Sequence, residues 1–334
     1  MRGLPIYLSK SHLFVLFVVL SLVEQPQAHA DPPSGRATRS LPKAKSSGSW
    51  GVAEQPTNLV NGSPVLFRVS APRTLRALSA KWLGHEIVFT FDPERHDWFA
   101  LAGVSQETKP GSYSLQLRGE ISMSSSTSSS SSLPSSPDAV ASDAAPVTFE
   151  KKIMVGRQRY PRVLLKVPGK YTVPSPEDQK EIAADKDIKA DAFKTETPSR
   201  QWSGSFEPPV EAEISDVFGV ERVFNGTVQS THLGLDFRVP TGTVIAAVND
   251  GTVLLAQPLF FEGNCIVIDH GQGLLTLYLH LSKFLVKQGE VVTKGQKIGL
   301  SGGTGRATGP HLHLAVRWQG VYLNPAELLK MKLP

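Results

Sequence analysis

From Trp50 to Val155, and again from about Phe206 onward, apolar and polar residues alternate in short runs cut by Gly and Pro. A period of two is the pleat of a strand, so the chain is confined to a mostly β fold. One segment departs from it. Between Pro174 and Phe193 charged residues dominate; Ser175 can cap a helix, Pro176 suits its first turn, and Glu177 and Asp178 sit where the macrodipole favours anions. A helix over about 176–193 is expected there, with too few apolar residues to be more than a connector. The 334 residues, 40% of them apolar, suffice for two packed cores. The one cysteine excludes a disulfide scaffold.

The organisation follows from these breaks. Arg2 and Lys10 precede the apolar run Leu13 to Val23, and Ala28 and Ala30 supply small residues where a signal peptidase reads. Residues 1–30 therefore read as a secretory signal. An eleven-residue helix rises only about 16 Å, short of a bilayer core of roughly 30 Å, so no stable membrane span is expected once the signal is cleaved. The expected location is exported, in the periplasm or outside the cell. Residues 31–49 read as a disordered lead-in. The span 50–155 is expected to be a small Ig-like β-sandwich, with strands at Val65–Val69, Glu86–Phe91, Trp98–Leu101, Ser112–Leu117 and Val147–Val155, and a disordered serine-rich loop at 122–146. A linker over 156–205 carries the helix. The second domain is 206–334.

Charge argues against a nucleic-acid partner. The formal net charge is +5, but residues 206–334 hold 10 basic against 11 acidic residues, while 31–205 hold 23 against 18. The surplus is densest from Lys151 to Lys170, a pattern typical of a solvated hairpin edge.

Chemistry concentrates in the second domain. In an extended segment His232, Gly234 and Asp236 share a face, and the glycine leaves space between an imidazole and a carboxylate able to grip a small cation. Taken alone, such a pair is more often simply solvated. In Pro310-His311-Leu312-His313-Leu314 the period of two puts both imidazoles on one face of a strand, where a metal or a substrate explains them better than packing does. His280 shares a face with Thr276 and Tyr278 and, beside these patterns, becomes a candidate base. His270 reads as a hairpin loop residue, His85 and His96 as surface or core histidines, and Cys265 as a buried inert thiol.

With His232 to Asp236, Pro240-x-Gly242-Thr243, Gly263-Asn264, Tyr278-x-His280, Val292-x-x-Gly295-Gln296-x-Ile298-Gly299 and Gly305-x-x-x-Gly309-Pro310-His311-Leu312-His313 in order, residues from about Ser205 to Leu329 resemble the lysostaphin and LytM type of zinc metalloendopeptidases. The resemblance implies a two-layer antiparallel β domain of the LytM, duplicated-hybrid-motif type. It implies one Zn²⁺ on His232, Asp236 and His313, a position left for water, and His280 with His311 as the catalytic pair. It implies peptidoglycan as the substrate, cut in its cross-links or stem peptides, with substrate choice in loops 256–264 and 301–309. The alternative it leaves open is a non-hydrolytic wall-binding protein or an activator of a cell-wall amidase. The upstream domain could then engage a cell-wall partner protein or cover the cleft. One departure stands out: many relatives carry an aromatic and then an acidic residue after the second histidine, where this chain has Leu314 and Ala315.

Overall fold

The alternation around Ser112–Leu117 extends, in the computed structural model, into the strand Gly111–Ile121, paired antiparallel with Val147–Gly156. Residues 49–121, 145–194, 197–226 and 228–334 are described. The expected signal, all of the lead-in except Ser49, and residues 122–144 of the serine-rich loop lie outside them.

Leu75–Trp82, His85–Val88 and Leu59–Val60 complete a five-stranded sheet around that pair. Gly51–Gln55, Pro64–Ser70, Asp97–Gly103 and Thr90–Asp92 form a four-stranded one. The expected single strand at 86–91 is therefore two. Its first half pairs in one sheet and its second half in the other, with buried Phe89 at the crossing and its N–H donated to the Leu78 carbonyl. The Leu75–Trp82 strand escapes the reading above because its pairing slips between Leu75 and Ala77, which breaks the period of two. At its far end Trp82 meets Phe67 edge-on at 5.3 Å and donates Nε1–H to the Gly103 carbonyl at 2.9 Å, so this large ring is buried with its polar atom satisfied. Within the basic run from Lys151, Lys151 pairs with Glu54, Lys152 with Glu150 and Arg162 with Glu221.

Downstream, antiparallel strands run in the order Ile214–Asp216, Gly234–Phe237, Leu312–Trp318, Leu274–Leu281, Gly263–Asp269, Gly251–Leu259 and Val291–Val292, with Val321–Leu323 added on Leu312–Trp318. The near-continuous apolar text of the central strands has a simple cause, which is that both faces of this sheet are buried. On one face Ile266, Ile268, Leu312, Leu314 and Val316 join Ile245 and Ile298 from a second, three-stranded sheet. On the other, Val267, Leu275, Leu277 and Ala315 are covered by Ile188, Ala192 and Phe193.

Those last residues belong to the helix Pro176–Ala192 and its cap. Ser175 and Asp178 form a reciprocal capping box at its start. The helix backs the sheet, and polar anchors replace the missing apolar stripe: Asp185 accepts the Phe260 N–H at 2.5 Å, and Lys189 pairs with Glu262. Among the described residues no helix is long and apolar enough to cross a membrane.

The core does not stop between the two halves. The His85 ring lies 5.0 Å from that of Trp318, Trp202 meets Phe99 at 6.3 Å, and Leu323 fills the space a side chain at Gly103 would need. One hydrophobic cluster thus runs from Leu59 to Met331. Calorimetry of the full chain should accordingly show one cooperative transition for residues 49–334. Trp318→Ala should lower its stability by about 3–5 kcal/mol. Two separate transitions, with only one moved by the substitution, would contradict a shared core.

Candidate metal centre and active site

Strand register builds the centre. Asp236 stands directly opposite His313 in the antiparallel pair of Gly234–Phe237 with Leu312–Trp318, so both side chains leave the same face of the sheet. The Asp236 Oδ1 to His313 Nδ1 distance is 2.8 Å. His232, just before the strand, brings its Nε2 to 2.9 Å from Asp236 Oδ1 and 3.0 Å from His313 Nδ1. Gly234 is required for a reason other than the one expected. A Cβ there would lie 2.4 Å from His313 Nε2 and 2.5 Å from the Leu314 carbonyl, so the space it leaves is taken by the His313 ring.

The donor chemistry fits a cation. His232 donates Nδ1–H to the Val217 carbonyl at 2.7 Å, which leaves its Nε2 as a bare lone pair facing a carboxylate oxygen. Two acceptors at that separation repel unless a positive charge lies between them and their neighbour. One ligand atom from each of His232, Asp236 and His313 lies within 4.8 Å of the others, so the three can hold a metal ion. Protonation agrees: burial pushes His313 down to about 4 against the pull of Asp236. Burial also pushes Asp236 up, yet the two histidines beside it hold it well below the ordinary carboxylate range. Neutral imidazoles and an ionised carboxylate are the forms metal ligands must take. Arg222 steadies the outer oxygen, donating from Nη2 to Asp236 Oδ2 at 2.7 Å while bound through Nε and Nη2 to Asp216 Oδ2 at 3.0 and 2.6 Å. Neither Arg222 nor Asp216 carried a signal in the sequence, because their role rests on a fold contact and not on spacing.

The two other predicted site residues stand beside this group. His280 has φ +64°, a left-handed backbone that takes it out of the alternation shared by Thr276 and Tyr278. Its Nδ1–H is donated to the Thr304 carbonyl at 2.8 Å, and its ring centre lies 4.8 Å from that of His311. Burial first, then the charges of His311 and His313, push it down to about 3. His311 donates Nδ1–H to the Gly309 carbonyl at 2.8 Å and brings Nε2 to 3.8 Å from Asp236 Oδ1. Carbonyls thus fix both tautomers and leave both Nε2 atoms as acceptors. A groove of about 370 Å³ opens here, lined by Val163, Leu165 and Phe224 and by Thr308 to His311.

The remaining sequence expectations sort by burial. His270 sits in the turn as expected but is wholly buried, bonded through Nδ1 to the Asp250 carbonyl at 2.6 Å and through Nε2 to Thr276 Oγ1 at 2.8 Å. Thr276 and Tyr278 join that network, and Tyr278 accepts the Val248 N–H. The polar face of the strand therefore meets protein, not water. Cys265 is buried, which pushes its thiol far up. Leu314 and Ala315 are core residues on opposite faces of the sheet.

Three donors beside two free imidazole acceptors in a β-walled groove are the arrangement of a hydrolytic metal centre. Residues 230–325 match the model of Peptidase family M23, and the chain therefore carries an M23 peptidase domain. It is 43% identical over 129 residues to the peptidoglycan DD-endopeptidase ShyA of Vibrio cholerae, covering 38% of this chain and 29% of that protein. It is 39% identical over 130 residues to the DD-carboxypeptidase/endopeptidase Mpg of Neisseria meningitidis, covering 38% and 30%. The chain thus spans less than a third of these relatives. A crystal structure from Pseudomonas aeruginosa named for peptidase M23 superposes with a TM-score of 0.57 at 27% identity, over 81% of this chain and 94% of that one. The likeness in fold therefore extends well upstream of residue 230.

Burial of neutral imidazoles sets a pH dependence. His270, at about 4 when folded and 6.5 otherwise, binds its proton more readily in the unfolded chain, so stability rises with pH between those values and is level above. Metal-free protein should lose stability as pH falls from about 6.5 toward 4. His270→Gln should lessen the slope by about one proton, near 1.4 kcal/mol per pH unit. Denaturant titrations at stepped pH check this, and an unchanged slope in the variant would refute it.

Proposed function

We propose that this chain is an exported zinc-dependent endopeptidase that hydrolyses peptide bonds of peptidoglycan, in its cross-links or stem peptides. His232, Asp236 and His313 hold the zinc, and His280 and His311 form the catalytic pair. The observation that carries this reading is the convergence of two imidazoles and one carboxylate beside two further imidazoles 4.8 Å apart, of which His311 lines the groove. The relatives named as peptidoglycan endopeptidases supply the substrate class.

When bound, zinc supplies the Lewis acidity that acidifies water and polarises a scissile carbonyl. The side chains supply the rest. One Nε2 of the His280–His311 pair accepts the proton released from the attacking water; the pair, now carrying that proton, hydrogen-bonds the tetrahedral oxygen and returns the proton to the leaving amine. Arg222 keeps Asp236 turned toward the two ligand histidines.

The domain scheme belongs to the same reading: a cleaved signal over 1–30, an Ig-like sandwich over 50–155, a linker over 156–205 and the peptidase domain over 206–334. The upstream sheets line no part of the groove among the described residues; its outer wall is the linker strand Arg162–Leu165. We place the sandwich's role in contacts with the wall or a partner protein.

Purified full chain should release muropeptides from sacculi, lose this on chelation and regain it with zinc. His313→Ala should lose both metal and cleavage, whereas His280→Ala and His311→Ala should keep one zinc per chain and lose about 10²-fold or more in kcat. Arg222→Gln should weaken zinc binding by about 10- to 100-fold. Metal analysis with turnover on sacculi checks all four. Wall binding without cleavage by the zinc-loaded chain would move the reading to an activator.

A further inference from the structure

Of the cations bordering the groove, one is uncommitted. Arg222 is taken up by Asp216 and Asp236, and Arg238 is a largely exposed rim residue 3.8 Å from Glu213. Arg306 has no ion pair and no side-chain hydrogen bond among the described residues. It is nonetheless held in place. Its guanidinium carbon lies 4.8 Å from the centre of the Phe224 ring and 4.7 Å from that of Phe261, and its backbone N–H is bonded to the Phe261 carbonyl at 2.8 Å.

The support reaches further back. A Cβ at Gly305, φ +72°, would lie 2.3 Å from the Gly263 nitrogen, so the loop carrying Arg306 fits tightly against the loop carrying Phe261. That second loop is tied to the helix by Asp185 to the Phe260 N–H and by Lys189 to Glu262. Glu262, next to Phe261, gives one carboxylate oxygen to Lys189; its other oxygen is buried without a hydrogen-bond partner and acts on Arg306 by charge without being bonded to it. A guanidinium with both its aromatic contacts and its backbone fixed, and its N–H donors free, is preorganised for a planar anion. Beside it the wall is apolar, formed by Val163, Leu165 and Phe224.

We propose that Arg306 is a substrate-binding residue that takes a free carboxylate on a residue flanking the scissile amide, so that this peptidase prefers peptides anionic next to the bond it cuts. The assignment rests on the peptidase reading above and narrows it. The carboxylate accepts the two N–H donors on one edge of the guanidinium while the alkyl part of the same residue lies on the Val163 and Leu165 wall. A carboxamide at that place keeps the shape and forfeits the charge.

The test compares two purified cross-linked muropeptide dimers, one with the carboxylates flanking its cross-link free and one with them amidated. Each is presented to the zinc-loaded full chain for turnover and to the metal-free full chain for binding by calorimetry. The wild type should favour the free acid by about 10-fold or more in kcat/KM and in affinity. Arg306→Met should bring both ratios near 1 and Arg306→Lys should fall between. Phe261→Leu, which keeps the cation and removes one of its supports, should lower the ratio in part and stands in if Arg306→Met does not fold. No preference in the wild type, or one that persists in Arg306→Met, overturns the assignment and leaves the peptidase reading intact. No cleavage of either dimer sinks the peptidase reading instead, and the binding ratios then decide Arg306 by themselves.

Discussion

Everything at the centre depends on one register: Asp236 opposite His313, with Gly234 opposite Ala315 two residues away. A slip by one residue would send every side chain of the strand to the other face, carrying Asp236 into the apolar layer formed by Ile266, Leu312 and Leu314. The register is held because both faces of Leu312–Trp318 are buried. Leu312, Leu314 and Val316 fill one layer and Ala315 the other, so exchanging them would bury charge and expose apolar surface. The stability of the sheet and the convergence of the ligands are thus the same fact.

Around that register the protein positions imidazoles with its backbone. His232, His280 and His311 each donate Nδ1–H to a carbonyl, of Val217, Thr304 and Gly309, and each is left with an Nε2 acceptor. Carbonyls of loops and turns suit this task, since they cannot ionise and their direction is set by the fold. His313 differs in turning Nδ1 to the centre. Its Nε2 lies where a Cβ of residue 234 would be, so here steric fit at a glycine does what a carbonyl does for the others.

The sequence made much of this legible, and the failures share a cause. Periods of two marked the strands and put His311 and His313 on one face; the capping signals at Ser175 and Pro176 placed the helix to within a residue or so. All five candidate side chains, His232, Asp236, His280, His311 and His313, come together in space. What could not be read depends on contacts between distant segments. Leu75–Trp82 was hidden by a bulge, the strand at 86–91 divides because two sheets compete for it, and the helix looked like a bare connector because Asp185 and Lys189 anchor it through charge. His270 looked like a loop residue for the same reason. Its burial is imposed by Thr276 and the Asp250 carbonyl, neither adjacent to it in sequence.

The groove extends this argument to the linker. Val163 and Leu165 reach it because Arg162–Leu165 pairs parallel with Glu221–Phe224, the strand that also carries Arg222 and Phe224. One short strand thereby presents the arginine that holds the Asp236 carboxylate and the ring that supports Arg306, while its partner from upstream supplies the apolar wall. The linker is therefore part of the cleft and cannot be removed without opening it. Its pairing is parallel, so the two strands are joined by a long connection and not by a tight turn. Glu221–Phe224 is itself paired with Val228–Thr231 next to His232. The strand that walls the groove and the strand that leads to His232 are thus both paired with Glu221–Phe224, and the segment that looked like a tether in the sequence completes that wall.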